Sequence, residues 1–306
     1  MLGLGLSGLA TAAALRAGGA IPVCWDENPD ARDNATGFEV ADLGRTKNWD
    51  GITGLIIEPE IAHLFPSAHP AVQLAWEKEV PVDNDISLFF QSFAQPEWSM
   101  FDHEPKVVCI TGDKNKITAA GLICQILEFA NRPCQTGGAA VLGLEPLVDN
   151  EVLVLELSSH QLELARILAP DLSVMLDVSS GQTARHGGAG GCFAAQSRLF
   201  TACAPDRAVI GVDHLEGQYL VNRLLQSGTP VIQIASRKLS GQGWHVFLKK
   251  GFLAEWRKAR QVASVDLRSI ARLAGPRDQE NACAAFAVCR SLGLAPKVIE
   301  AGLRAT

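Results

Sequence analysis

The sequence predicts an α/β protein of two units, the second built on a mostly parallel sheet. Three observations support this prediction. The length of 306 residues suits two domains, apolar stretches alternate with amphipathic ones, and two loops stand where a strand would run into a helix. The loops span residues 3–8 and 111–118. Because parallel strands need crossover helices between them, this alternation favours a parallel sheet.

The first loop has the sequence Gly-Leu-Gly-Leu-Ser-Gly and leads into an alanine-rich helix predicted over Leu9–Ala17. A strand over Ile21–Trp25 follows, and Asp26 comes directly after it. Three glycines at this spacing, with an acidic residue about twenty positions on, form a Rossmann-type fingerprint. Only two residues precede the loop, so we expect a shortened first strand and an unpaired sheet edge. A nicotinamide-dependent oxidoreductase is the alternative interpretation of this loop, although the second half offers no hydride-transfer site.

The remaining helices and strands are predicted from apolar runs and from the glycine and proline residues that end them. In the first unit we expect a strand over Gly51–Ile57, a helix over Val72–Glu79, a short strand over Val80–Val82 and a helix over Asp85–Phe93. In the second we expect strands over Glu151–Leu157, Leu172–Val178, Arg207–Val212 and Pro230–Ile234, a hairpin of Trp244–Leu248 with Gly251–Trp256, and a helix over Asn281–Leu292. The polar, proline-bearing stretch 94–105 predicts a boundary, which gives domains of residues 1–97 and 106–299.

The second loop joins an apolar strand to an amphipathic helix and contains Lys116. In phosphate-binding loops, backbone N–H groups and a lysine converge on the phosphates at a helix start. Asn115 stands where the consensus has its second glycine, and asparagine is the next most tolerant of a left-handed backbone. Ile117 stands at the position of the Mg²⁺-binding hydroxyl, and Thr118 lies one residue late. A phosphate cradle and an ordinary strand–loop–helix connection therefore both remain open.

Glu156 ends the apolar strand predicted over Glu151–Leu157. Ligands of open α/β sheets gather at the carboxyl ends of the strands, and a carboxylate there often holds Mg²⁺ beside phosphates. A helix-capping or ion-paired glutamate is the alternative.

Composition excludes several functions. Hydrophobic residues make up 47% of the chain, charged residues 20%, and the net charge is −6, as expected for a globular protein. There is no lysine- or arginine-rich run, so we expect no nucleic-acid partner. No apolar stretch reaches the ~18 residues of a membrane helix, and no signal peptide is recognisable. The eight scattered cysteines predict buried free thiols in a reducing cytoplasm rather than a zinc site.

Several residues are expected to have no ligand-binding role. Glu255–Arg260 is interpreted as a solvated face. Four histidines lack an acid or cysteine at ligand spacing, so we expect them at surface or turn positions: His63, His69, His103 and His245.

The ordered motifs resemble those of the Mur ligase family, most of all its D-glutamate-adding members. Leu155–Glu163, written Leu-Glu-Leu-Ser-Ser-His-Gln-Leu-Glu, is the most specific match. The other matching segments are Gly3–Gly8, Leu55–Pro66, Val82–Phe89, Ile110–Thr118, Thr136–Gly138, Asp177–His186 and Gly275–Ala285. The resemblance implies a first domain for a UDP-linked substrate, UDP-N-acetylmuramoyl-L-alanine, and a central P-loop-type domain for Mg·ATP. It also implies a third domain that closes over the site and brings D-glutamate.

The resemblance also assigns residues. Positions around the uridine diphosphate match Leu6, Ser7 and Asp26. Nucleotide-binding positions match Gly112, Lys116, Thr118 and Asn281, of which Asn281 corresponds to the adenine-contacting asparagine. Glu156 matches the Mg²⁺-binding glutamate, and the family-equivalent catalytic positions fall on Lys116 and His186.

Departures from the family pattern concentrate at the phosphate and metal positions. Gln182 replaces a metal-binding histidine, and Gln196 replaces a lysine whose carbamate supports the second Mg²⁺. An amide cannot take up CO₂. Ala139 replaces an asparagine. Glu58 and Glu60 replace a serine and a glycine of the UDP-binding segment, where we expect their charges to repel a diphosphate.

These departures predict that ATP and Mg²⁺ binding is weak or lost. The sequence stops at Thr306, where the third domain would begin. We therefore expect that domain to be missing, or supplied by a protein partner, and this chain alone to be inactive as a ligase. A degenerate pseudo-enzyme that binds a nucleotide, a UDP-sugar or a partner is the alternative.

Overall fold

A nine-stranded sheet carries the larger part of the molecule. The computed structural model describes residues 1–92, 101–112, 115–177 and 183–305. Its helices are α1 Leu6–Ala17, α2 Pro29–Asp33, α3 Pro70–Glu77, α4 Asp85–Ser92, α5 Lys116–Phe129, α6 Ser159–Leu164, α7 Ala189–Thr201, α8 Leu215–Gln226, α9 Pro276–Ser291 and α10 Pro296–Arg304. Its strands are β1 Val23–Cys24, β2 Glu39–Val40, β3 Leu55–Ile56, β4 Val82–Asp83, β5 Lys106–Thr111, β6 Cys134–Gly137, β7 Val152–Glu156, β8 Leu172–Met175, β9 Arg207–Gly211, β10 Val231–Ala235, β11 Trp244–Lys249, β12 Phe252–Arg257 and β13 Arg260–Asp266.

The large sheet has the strand order β13-β12-β11-β10-β9-β8-β5-β7-β6. All pairs from β6 to β11 in this order are parallel, whereas β12 and β13 add an antiparallel edge. Along β5, Val108 and Ile110 pack on the side of α5, α9 and α10, and Val107 and Cys109 pack on the opposite side. A strand buried on both faces is apolar throughout, and this explains the continuous run. The predicted mostly parallel sheet and the predicted hairpin are confirmed.

The N-terminal part contains two short parallel pairs, β1 with β2 and β3 with β4. Leu2 lies between them and bridges to Trp25 on one side and Ile57 on the other. The Leu2 amide donates to the Ile56 carbonyl, and the Gly3 amide donates to the Trp25 carbonyl, each at 2.9 Å. The first three residues therefore occupy the position where the sequence predicted an unpaired edge.

Polar contacts connect the N-terminal part to the large sheet. The Asn84 side chain donates to the Gln161 carbonyl at 2.8 Å, and the Ser87 hydroxyl accepts from the Arg166 amide at 2.6 Å. Most of the predicted boundary stretch, residues 93–100, lies outside the described residues, so the domain limits stay a prediction. None of the helices in the described ranges has the length and apolar character needed to cross a bilayer.

The prediction that all cysteines are free is wrong for one pair. Cys124 on α5 and Cys134 at the start of β6 form a disulfide, with Cα atoms 5.2 Å apart. The chain turns back after α5 and places β6 beside it, which brings together two residues ten positions apart. The other six cysteines form no disulfide, and all of them except Cys203 are buried.

The solvated face predicted at Glu255–Arg260 is wrong for its first residue. The Glu255 side chain has no exposed surface and lies 2.8 Å from the Arg257 guanidinium and 3.0 Å from that of Arg290. Packing of α9 over the sheet supplies the second partner, so the carboxylate is buried and paired.

Two of the four histidines expected at surface or turn positions, His63 and His245, are buried. His63 is buried with Nε2 at 3.1 Å from Glu163, and His245 is buried in β11. His69 lies 3.2 Å from Glu27 and accepts from the Ala71 amide at the start of α3. Only His103 is largely exposed among these four, and it lies 3.8 Å from Asp149.

Candidate functional site

The central loop has a positive φ on both sides of its undescribed residues. Gly112 has φ +141° and Asn115 has φ +68°, and α5 begins at the next residue, Lys116. The left-handed backbone expected at Asn115 is therefore confirmed. A side chain at Gly112 would place its Cβ 3.2 Å from the Asp177 carbonyl, so only glycine fits there without a shift. Asp113 and Lys114 lie outside the described residues.

The Lys116 ammonium turns back onto its own loop and donates to the Gly112 carbonyl at 2.7 Å. Pairing of β5 with β7 sets Ile110 opposite Glu156, so the ends of both strands reach the same edge of the sheet. Burial raises the pKa of the Glu156 carboxyl, and the positive charge of Lys116 opposes part of that rise. The two residues matched to phosphate and metal are therefore close enough to interact.

The side chains of Ile117 and Thr118 lie outside the loop. Ile117 is 76% exposed, and Thr118 is exposed on the first turn of α5. Ile117 therefore does not fill the space above the loop. The sequence alone did not decide this question. Thr118 lies beside the loop without a described contact that directs it to a metal.

The neighbouring strand ends carry further carboxylates. Burial raises the pKa of Glu280, and the negative charges of Asp213 and Asp177 raise it further, partly offset by His214 and Arg277. Asp213 and Glu280 also line a small cavity between the ends of β8, β9 and β10 and the start of α9. A polyphosphate would meet a local excess of negative charge here unless a cation accompanied it.

Asn281 and Gln196 present buried amides. Asn281 on α9 is 3% exposed, and its Nδ2 has no hydrogen-bond partner within the described residues. Gln196 on α7 is 2% exposed, and its Oε1 likewise lacks one. Gln182, the other departure at the metal position, lies outside the described residues.

The donor set suits one Mg²⁺ ion rather than two. Mg²⁺ usually binds through one or two carboxylates together with substrate phosphates, and Glu156 offers that carboxylate. At the position of the second ion, Gln196 offers a neutral amide oxygen instead of an anion. Across the ranges the structure describes, no group of three or more acidic, histidine or cysteine side chains could hold a metal on its own. The carboxylate of Glu156, with Lys116 nearby, therefore fits a single cation carried by a nucleotide's phosphates.

His186 lies in a buried polar cluster. Its Nε2 is 2.9 Å from the Ser159 hydroxyl, and its Nδ1 is 3.1 Å from one Glu163 oxygen. The other Glu163 oxygen lies 3.1 Å from His63. Burial acts to raise the pKa of Glu163, but the contacts with His63 and His186 outweigh it and leave the pKa lowered. His160 stacks on His186 at 5.0 Å, and burial lowers its pKa to about 4.

The cluster links the N-terminal part to the large sheet, since His63 precedes α3 and the other members belong to α6 and the turn before α7. The His186 side chain has no exposed surface. His63, Glu163 and His186 each lie in a segment that resembles the family, but these segments are far apart in the chain. Their grouping depends on tertiary packing and could not be predicted from the sequence.

The N-terminal loop is surrounded by carboxylates. The Leu4 amide donates to Asp26 at 2.7 Å, and the Ser7 hydroxyl donates to Asp85. Burial raises the pKa of Asp85, the Ser7 contact lowers it, and the charge of Glu58 raises it. Leu6 is 84% exposed at the first position of α1. The residues matched to the uridine diphosphate are thus brought together around one loop.

Glu58 enters this loop directly. One oxygen accepts from the Gly8 amide at 2.7 Å, and the other accepts from the Gly5 amide at 3.2 Å. Glu60, two residues on, is exposed, and its carbonyl accepts from Arg185. Both glutamates were expected to repel a diphosphate, but their positions differ, since only Glu58 reaches the amides of the loop.

The chain is an α/β protein in which two glycine-bearing loops each lead into a helix, one beside short parallel strand pairs and one on a large, mostly parallel sheet. A family model described as the Mur ligase middle domain matches residues 110–289, and the chain belongs to the Mur ligase family. It is 52% identical over 311 residues to a UDP-N-acetylmuramoylalanine–D-glutamate ligase of Roseobacter denitrificans, covering 99% of this chain and 67% of that protein. It is 53% identical to the protein of the same name from Cereibacter sphaeroides, with the same coverage.

Solved structures agree in fold. A UDP-N-acetylmuramate:L-alanyl-gamma-D-glutamyl-meso-diaminopimelate ligase from Neisseria meningitides superposes with a TM-score of 0.59 at 15% identity, covering 99% of this chain and 96% of that one. A UDP-N-acetylmuramate-alanine ligase from Thermotoga maritima gives a TM-score of 0.54 at 14% identity, with 99% and 67% coverage. At these identities the likeness concerns the fold alone.

Proposed function

We propose that this chain is a homologue of the D-glutamate-adding Mur ligases whose own ligation is strongly impaired. The reaction would join UDP-N-acetylmuramoyl-L-alanine to D-glutamate with ATP. The names of the two relatives above support this substrate class. The proposal rests on the proximity of Lys116 to Glu156 at one sheet edge, combined with the neutral, buried amide of Gln196 at the position that the resemblance assigns to the second cation.

The retained residues support nucleotide binding of modest strength. Lys116 would swing from the Gly112 carbonyl to the β- and γ-phosphates, where its charge offsets theirs. Glu156 would hold one Mg²⁺ through its carboxylate, and the buried amide of Asn281 would face the adenine. ATP, when bound, supplies the phosphoryl group that activates the substrate carboxylate. We expect a millimolar or weaker dissociation constant for Mg·ATP.

The impairment follows from charge. Phosphoryl transfer depends on cations that neutralise charge developing between two anions. In the family pattern a carbamylated lysine provides a carboxylate for the second Mg²⁺, whereas the Gln196 amide cannot form one. Loss of one preorganised electrostatic group typically costs on the order of 10²–10³ in rate. Gln182, at the position of a metal-binding histidine, would add to this loss.

A phosphate-release assay tests the proposal. The chain is incubated with Mg·ATP, UDP-N-acetylmuramoyl-L-alanine and D-glutamate, beside the Roseobacter denitrificans relative as the active reference. We expect release from this chain at the level of buffer. Turnover comparable to the reference would contradict the impairment. Calorimetric titration with Mg·ATP tests the binding part separately, and a micromolar constant would contradict it.

A protein partner is the second part of the proposal. The chain spans 67% of the length of its relatives, and the resemblance assigns D-glutamate to a third domain. The last third of the Roseobacter denitrificans protein, produced as a separate polypeptide, can be added to the same assay. Release that depends on this addition would favour complementation by a partner. No release at any ratio would favour the alternative, a pseudo-enzyme that binds nucleotide without ligation.

A further inference from the structure

The N-terminal glycine loop holds an anion that belongs to the chain itself. The two oxygens of Glu58 accept hydrogen bonds from the Gly8 amide at 2.7 Å and the Gly5 amide at 3.2 Å. These amides lie at the start of α1, a helix of 12 residues. A helix start and the amides before it favour negative charge, which is why such loops bind phosphates. The carboxylate lies where a phosphate group would be bound.

The shape of the loop is matched to this side chain. A Cβ atom built on Gly3 or Gly5 would lie 2.7 or 2.9 Å from an oxygen of Glu58, whereas one built on Gly8 would first clash with the Gly3 carbonyl. Gly3 and Gly5 therefore leave room for the carboxylate, and Gly8 lets the start of α1 pack closely on the loop. In a dinucleotide-binding loop the second glycine lets the backbone approach a pyrophosphate, and the third allows close packing of the helix.

The segment that carries Glu58 is fixed from both sides. Its own amide donates to the Leu2 carbonyl at 3.0 Å, directly after β3. The Arg185 guanidinium donates to the carbonyls of Pro59, Glu60 and Ile61, each at 3.0 Å. Further along, His63 contacts Glu163, as described above. Glu58 is therefore held in the loop by backbone contacts that reach the large sheet.

We propose that Glu58 closes the glycine loop to diphosphates and so determines which ligands the N-terminal part accepts. A nucleoside diphosphate would have to displace a carboxylate from two amides, and the displaced charge would stay near Asp26 and Asp85. Both of these side chains already touch the loop. The inference concerns binding at residues 3–8 and does not depend on turnover of ATP at the central loop.

Titration of UDP and of inorganic pyrophosphate, without ATP, tests this proposal. Three proteins are compared by calorimetry: the wild-type chain, Glu58→Ser and Glu60→Ser. The control removes the same charge two residues away, from a side chain that does not reach the loop. We expect Glu58→Ser to bind UDP at least about tenfold more tightly than wild type, equivalent to about 1.4 kcal/mol. Glu60→Ser should bind like wild type.

Two results would overturn the proposal. Equal gains in both variants would assign the effect to general charge, and no gain in Glu58→Ser would show that the carboxylate does not close the loop. Glu58→Gln keeps one acceptor oxygen of similar reach but no charge, so we expect an affinity between those of wild type and Glu58→Ser. An affinity equal to that of Glu58→Ser would contradict closure by occupancy.

Amide resonances of Gly5 and Gly8 provide a test on the unmodified protein, which holds even where a variant fails to fold. In wild type, UDP should leave both resonances in place, because the carboxylate keeps its hydrogen bonds. A saturable shift of either resonance at a concentration that matches calorimetric binding would overturn the proposal. In folded Glu58→Ser the same resonances should move on substitution and move again when UDP is added.

Discussion

The two glycine-bearing loops of this chain differ in the charge of the side chain that forms hydrogen bonds with the loop backbone. At residues 3–8 the loop amides donate to the carboxylate of Glu58, whereas at the central loop the Lys116 ammonium donates to the Gly112 carbonyl. A ligand phosphate at the first loop must replace a carboxylate, whereas at the second loop it meets a side chain of opposite charge. Both contacts are charge-assisted, because the acceptor is ionised at the first loop and the donor is ionised at the second. A phosphate is repelled by the first charge and attracted by the second, so the second loop is the easier for it to occupy.

Reversing the charge of Glu58 should have the largest effect. In Glu58→Lys the amides of Gly5 and Gly8 lose their acceptor, and a cation meets the start of α1. We expect the free energy of unfolding to fall by about 2–3 kcal/mol, a sum of lost charged hydrogen bonds and an unfavourable helix dipole. Denaturant titration measures this. Glu60→Lys is the matched control and should change stability by less than ~0.5 kcal/mol; equal losses would remove the distinction between the two glutamates.

The contact between the two parts of the molecule should come next. Glu163→Gln leaves His63 and His186 without their carboxylate, and we expect a loss of about 1.5–2 kcal/mol at neutral pH. Because the folded pKa of Glu163 is lowered, its stabilisation is present above the unfolded pKa of about 4.3 and is lost as pH falls through the folded value. Denaturant titrations from pH 7 to pH 3 should therefore converge for wild type and variant.

Glu128→Gln, an exposed carboxylate on α5, is the control for this series. It should follow wild type at every pH. A Glu163→Gln curve parallel to wild type down to pH 3 would show that the carboxylate is not the titrating group of the cluster.

At the central loop, Lys116→Ala should weaken Mg·ATP binding by about tenfold, the value of one charged contact to phosphate. We expect only a small loss of stability, because Lys116 is half-buried at the first position of α5 and its bond to the Gly112 carbonyl lies within one loop. Lys47→Ala, at an exposed lysine of the N-terminal part, should bind like wild type. Calorimetry on all three proteins measures this. An unchanged constant in Lys116→Ala would show that ATP binds elsewhere or that the lysine stays on Gly112.

The sequence predicted the parts of this comparison that depend on local chemistry. A left-handed backbone at Asn115 follows from the tolerance of asparagine, and the position of Glu156 at a strand end follows from the apolar run before it. It predicted negative charge near the first loop but not that Glu58 enters it. That outcome depends on where β3 ends relative to residues 3–8, which only tertiary packing fixes.

The wrong predictions have the same cause. The Cys124–Cys134 disulfide depends on the turn that places β6 beside α5, and burial of Glu255 depends on Arg290 from a helix 35 residues further on. Neither partner is visible in local periodicity. In a sequence, a polar residue that pairs with a partner on another helix or strand cannot be distinguished from one that faces solvent. Only the tertiary packing of the two elements shows the pair.

The smallest effect is expected at Glu156. Its dependence on pH tests whether the central loop binds a cation that the N-terminal loop does not. Mg²⁺ should lower the dissociation constant of ATP in wild type, and in Glu156→Gln this gain in affinity should be roughly threefold smaller. The difference corresponds to about 0.7 kcal/mol, as expected for a partly exposed charge contact. Because burial raises the folded pKa of Glu156, the wild-type carboxylate takes up its proton at a higher pH than an ordinary glutamate. The Mg²⁺ effect should therefore weaken on mild acidification in wild type, while Glu156→Gln shows no such dependence. Paired titrations with and without Mg²⁺ at several pH values measure this, and a pH-independent Mg²⁺ effect in wild type would place the cation away from Glu156.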